Sequence, residues 1–77
     1  MNVKILGPGC ANCKTLERNT RDALKRIAPD ATVEKVEDMA DIMKYGVMST
    51  PSLVVDDEVV VTGRVPSAKE IADLLTH

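Results

Sequence analysis

The chain has 77 residues, 44% of them hydrophobic and 29% charged, with ten basic against twelve acidic side chains for a net charge of −2. That length fits one domain over residues 1–77, and the near-even charge gives no electrostatic footprint for nucleic acid or an anionic membrane. Apolar runs such as Val59-Val60-Val61 are far too short to cross a bilayer, and no basic-then-apolar leader opens the chain, so a cytoplasmic protein is expected.

Met1 to Gly7 (MNVKILG) carries Val3, Ile5 and Leu6 and is stopped by Gly-Pro-Gly, which predicts a strand. From about Asn12 the spacing turns helical. Cys13, Leu16, Thr20, Ala23, Leu24 and Ile27 share one face, and Lys14, Glu17, Arg18, Arg21, Asp22, Lys25 and Arg26 share the other. Glu17–Arg21 and Asp22–Arg26 are favourable pairs four apart, and Pro29 ends the run. Ala31 to Glu37 (ATVEKVE) also fits a helical period, but its β-branched content favours a polar edge strand.

Asp38 can cap a short helix that turns Met39, Ile42 and Met43 inward, with Gly46 in a left-handed position after it. Ser52 to Asp56 and Glu58 to Thr62 are apolar strands around an Asp56-Asp57 turn, hence a hairpin. Ser67-Ala68-Lys69-Glu70 is a capping box, opening a helix that buries Ala68, Ile71, Ala72 and Leu75. The order is β-α-β-α-β-β-α: an α/β fold with a four-stranded mixed sheet flanked by helices.

Both cysteines fall in Gly7-Pro8-Gly9-Cys10-Ala11-Asn12-Cys13. Two thiols at this spacing can be a structural staple, part of a metal site, or a redox couple. The staple is the weakest reading, because so short a loop removes only ~2 kcal/mol of unfolded-state entropy and ties no distant segments together. A CxxC where a strand meets a helix inside a β-α-β unit is the redox pattern.

With Cys10-Ala11-Asn12-Cys13 after the first strand, and Lys44-Tyr45-Gly46-Val47-Met48-Ser49-Thr50-Pro51-Ser52-Leu53 before the hairpin, the chain resembles the thioredoxin superfamily over its whole length. Its compact size is similar to that of glutaredoxin-sized thioredoxins and redox-active disulfide proteins. The resemblance implies thiol–disulfide exchange, with Cys10 attacking and Cys13 resolving. It implies that Pro51 is cis, where Pro51 taken alone reads as a trans residue opening a strand. Thr50 would offer backbone groups to an extended substrate segment. Partners would be protein disulfides and a thiol reductant or reductase, with no cofactor, no bound metal, no nucleic acid and no membrane, acting as a monomer.

Three positions depart from the family pattern. Gly9 stands where many thioredoxins have Trp, Lys4 stands where they bury an acid, and Gly63-Arg64 lacks the glutathione-holding pattern of glutaredoxins. These differences bear on the substrate patch, the proton acceptor and glutathione binding, not on the two thiols.

The helix start favours the thiolate of Cys10 through unpaired N–H groups of about Asn12 and Cys13 and through the helix dipole. Cys13, one turn on and on the apolar face, should be more buried. Gly7 and Gly9 let the backbone turn and a partner approach. Met39 and Met43 read as core, whereas Met48 can line the substrate surface in place of the missing Trp. Tyr45 should pack at the helix end; Lys14, Arg64 and the terminal His77 read as solvated.

Two rivals stand beside the redox reading. A carrier of a soft metal such as Cu or Zn would bind through both thiolates, but small carriers of this kind end on a strand, in the order β-α-β-β-α-β. A non-catalytic binding module would have no need of either cysteine.

Overall fold

The computed structural model describes residues 1–76, which leaves His77 outside the described residues. The seven elements are β1 (Asn2–Leu6), α1 (Ala11–Ile27), β2 (Thr32–Val36), α2 (Met39–Met43), β3 (Ser52–Val55), β4 (Glu58–Thr62) and α3 (Ala68–Leu75). The sheet order is β2-β1-β3-β4, with β1 parallel to β2 and antiparallel to β3, and β3 antiparallel to β4. The order and the mixed sheet are those expected, and β2 is a largely exposed edge.

Strand alternation sends β1 to both faces. Val3 and Ile5 join Leu16, Ala23 and Leu24 of α1, Leu53, Val61 and Ile71 of α3 in the larger core. Leu6 turns the other way and packs with Val54 and Ile42 of α2, with Val36, Tyr45, Val47 and Val59 around them. Helices α1 and α3 therefore cover one face and α2 the other. Full burial of a side chain such as Leu16, Leu53 or Ile71 contributes about 1.5–3 kcal/mol each.

The caps follow their sequence signals. Ser67 Oγ accepts from the Glu70 amide at 3.1 Å and Asp38 Oδ1 accepts from the Ala40 amide at 2.8 Å. Asp56 and Asp57 both take positive φ (49° and 68°), the two-residue turn whose twist suits a hairpin. Gly46 is left-handed, with φ 73°.

Four side-chain expectations are corrected. Met39 and Met43 are 53% and 68% exposed, not core. Helix α2 has five residues, barely more than one turn, so only Ile42 fits beneath it against Leu6 and Val54. Asp22 and Arg26 form no ion pair among the described residues, while Arg21 reaches Glu17 at 3.0 Å. Arg64 is not simply solvated, because it pairs with Glu70 at 2.6 Å. That carboxylate is thereby drawn outward, away from the reciprocal half of the capping box.

Candidate active site

The site lies where β1 ends and α1 begins. Cys10 is the N-cap of α1, exposed and with extended backbone, and its sulfur accepts a hydrogen bond from the Cys13 amide at 3.2 Å. Its carbonyl accepts the first helical bond, from the Lys14 amide at 3.0 Å. Of the two amides expected to face the sulfur, that of Cys13 does so. Cys13 is 5% exposed, and the two sulfurs are joined in a disulfide, with Cα atoms 5.0 Å apart. The couple is thus asymmetric: one sulfur faces solvent on a helix N-terminus and the other sits beneath it.

Gly7 is the seat of the buried sulfur. It is itself buried, and a Cβ there would run into Cys13 Sγ and stand 3.9 Å from Pro51 Cα. Gly7, Cys13 and Pro51 therefore meet at one point. The sequence reading gave Gly7 the roles of turning the backbone and admitting a partner, not that of seating Cys13; its position directly after the strand was the signal for this one. Gly9 is exposed, with φ 90°, a conformation that a side chain rarely tolerates.

The Thr50–Pro51 peptide is cis. Pro51 is buried and its carbonyl accepts from the Gly63 amide at 3.0 Å, one residue beyond the Ser52–Thr62 pair that ends the β3–β4 ladder. Thr50 is exposed, and its backbone N–H and carbonyl have no hydrogen-bond partner among the described residues. Met48, 98% exposed, joins Met39, Met43, Val47 and Thr50 around an apolar groove of about 290 Å³. Sequence reasoning found Met48 and missed the other two methionines.

A second cleft, of about 210 Å³, opens at Cys13. It is lined by Gly7, Pro8, Gly9, Cys13, Lys14, Glu17, Lys35 and Glu37, with Ile5 at its floor. Across it Lys35 of β2 reaches Glu17 of α1 at 3.6 Å. Lys4, by contrast, lies on the α2 face, where its ammonium donates to the Tyr45 hydroxyl at 2.7 Å, stands 5.4 Å from the ring centroid, and is 3.8 Å from Asp57. The Tyr45 hydroxyl, aided by Asp57 and Glu34 against some desolvation, holds the Lys4 ammonium above the usual lysine value.

Comparison with known proteins agrees with this geometry. Residues 1–76 match the family described as a thioredoxin domain. A thioredoxin of Methanothermobacter thermautotrophicus is 43% identical over 76 residues, covering 99% of each chain. A thioredoxin of Methanocaldococcus jannaschii is 34% identical over 73 residues, covering 95% of this chain and 84% of that one. A solved structure titled "Structure of a malarial protein" superposes with a TM-score of 0.71 over 97% of this chain and 92% of its own, at 16% identity, a likeness of fold. The described elements run β-α-β-α-β-β-α, which already departs at its fourth element from the order expected of a small metal carrier. With a full-length match of sequence and fold around an asymmetric cysteine pair, the chain belongs to the thioredoxin family and is a thiol–disulfide oxidoreductase.

Proposed function

We propose that the protein reduces disulfides in partner proteins, with Cys10 as the attacking sulfur and Cys13 as the resolving one. The observation that carries this reading is the asymmetry of the pair: Cys10 exposed on the helix cap with an amide donor on its sulfur, Cys13 buried behind it. In the reduced protein, the Cys10 thiolate attacks one sulfur of the substrate disulfide, and the other substrate sulfur leaves with the bond's electron pair. Cys13 then attacks Cys10 Sγ. The Cys10–substrate bond breaks, the second substrate sulfur leaves as a thiolate, and the Cys10–Cys13 disulfide forms. Two electrons pass from the dithiol to the substrate, and an external thiol or reductase must restore them.

Thr50 is the residue through which a substrate segment pairs, because its free backbone groups can bond an extended chain as an added strand would. Pro51 offers no N–H to compete there. Met48, with Met39 and Met43, supplies an adaptable apolar surface in the groove that Thr50 also lines, suited to partners of varied sequence. Gly9, lacking a side chain next to Cys10, leaves room for the partner's backbone.

Trapping tests the assignment. In the Cys13→Ser variant the mixed disulfide has no resolving thiol, so covalent complexes with protein partners accumulate through Cys10. Cys10→Ser should trap few. Equal trapping by the two variants, or none by either, would remove the assigned roles.

A further inference from the structure

Three of the chain's four methionines stand together on its surface. Met39 and Met43 are one turn apart on α2, and Met48 follows in the loop beyond it. Ile42 takes the buried side of that helix, which leaves both methionines of α2 outward around the groove they share with Met48 and Thr50. A leucine would offer much the same apolar area. What methionine brings besides flexibility is an oxidisable thioether sulfur.

The cysteine pair does not shield those sulfurs. Once Cys10 and Cys13 are joined, neither holds a thiolate for an oxidant to meet, and Cys13 is buried besides. The thioethers stay open to solvent whatever the state of the pair, Met48 most of all. An oxidant that finds the disulfide already closed therefore meets the groove next.

Resting on the reading that this groove docks partner proteins, we propose that Met48, with Met43 and Met39, is an oxidation site at which hydrogen peroxide stops docking while the cysteine pair stays competent. The thioether sulfur attacks one peroxide oxygen. An S–O bond forms, the O–O bond breaks, and the departing hydroxide takes the proton left on the transferred oxygen to become water. The sulfur gives up two electrons, and the peroxide gains them. A polar, chiral sulfoxide then stands where a flexible apolar chain was. A partner that covers it must strip water from the new oxygen, which is unfavourable without a donor to replace that water. Because all three side chains are exposed, the change falls on docking and not on the core.

The test applies hydrogen peroxide to the disulfide form, removes it, and then reduces the protein with dithiothreitol, which opens the disulfide and leaves sulfoxides in place. Peptide mass spectrometry should find added oxygen at Met48, Met43 and Met39. Turnover of a protein disulfide should fall roughly fivefold in kcat/KM, the scale of leaving one polar group short of its hydrogen bonds. Reduction of 5,5′-dithiobis(2-nitrobenzoate) and the Tm should not change. Methionine sulfoxide reductases of both stereospecificities should restore the lost rate. With leucine at positions 39, 43 and 48 together, the rate after peroxide should equal that variant's own rate before it. Met1 is 47% exposed but does not line the groove, so Met1→Leu should remain as peroxide-sensitive as wild type. Sulfoxides at all three positions with no loss on the protein substrate, an equal loss on both substrates, or a loss that persists in the leucine variant would overturn the proposal. Failure of the docking reading looks different, because Met48→Asp would then also leave the protein substrate unaffected. If Met48→Asp blocks docking and the sulfoxides do not, the oxidation site alone falls.

Discussion

The amide of Cys13 donates to the sulfur of Cys10 at 3.2 Å, so the buried cysteine's backbone stabilises the exposed cysteine's charge. Because the donor is main-chain, it survives replacement of the Cys13 side chain. In Cys13→Ser the rate of Cys10 alkylation by iodoacetamide should therefore rise with pH through a midpoint below the value of about 8.5 for a free cysteine. A midpoint at the free value would mean that the helix start does nothing for this sulfur.

Gly7 is tested by the smallest possible addition. A methyl at Gly7 is aimed at Cys13 Sγ, with Pro51 behind it, and neither the strand end nor the helix start can yield freely. Gly7→Ala should cost about 1–3 kcal/mol by overpacking. At ~4–8 °C per kcal/mol for a domain of this size, calorimetry should show a clear fall in Tm. It should also slow closure of the Cys10–Cys13 disulfide by displacing the buried sulfur. A variant as stable and as fast as wild type would show that the sulfur has room to spare.

Much of the fold could be read from local chemistry. The Ser67 cap, the Asp38 cap, the two-aspartate turn and the stripe Cys13-Leu16-Thr20-Ala23-Leu24 each stand where the spacing predicts. Sequence spacing failed at α2. Met39, Ile42 and Met43 sit at the separations of an apolar stripe, yet a one-turn helix presents too little length to bury all three, and Leu6, Val54, Tyr45 and Val47 already surround Ile42. It also failed for the Cys13 cleft. Glu17 was legible as a partner for Arg21, but its contact with Lys35 joins α1 to β2, and nothing local announces a pair eighteen residues apart in the sequence. The Lys4–Tyr45 contact was invisible for the same reason.

The exposed methionines separate surface function from stability. Met48 is 98% exposed, so Met48→Asp should change unfolding free energy by no more than about 0.5 kcal/mol. Desolvating an aspartate against an apolar partner is unfavourable, so reduction of a protein disulfide should lose roughly tenfold in kcat/KM, about 1.4 kcal/mol. Reduction of a small reagent disulfide, which has no surface to dock, should be unaffected. Leu53→Ala, which empties a fully buried site, should reverse the pattern and cost about 2–5 kcal/mol of stability. Equal loss on both substrates in Met48→Asp would show that the groove does not hold the partner.

Lys4 provides a control on the opposite face of the sheet. Its hydrogen bond to Tyr45, more than any other influence, raises its ammonium above 10.5, with Asp57 and Glu34 adding to the effect. Tyr45→Phe deletes that acceptor, so the side-chain titration of Lys4 followed by NMR should move down toward 10.5. A group whose folded value exceeds its unfolded value stabilises the fold while protonated in both states, and that contribution vanishes as pH climbs through the folded value. The stability that Lys4 derives from Tyr45 should therefore be whole at neutral pH and up to about 10.5, and should disappear only above it. The Cys10–Cys13 chemistry should not follow, since Lys4 points away from the cleft that Cys13 shares with Glu17 and Lys35. If Lys4→Met were to slow closure of the Cys10–Cys13 disulfide, the α2 face would be coupled to the redox pair after all.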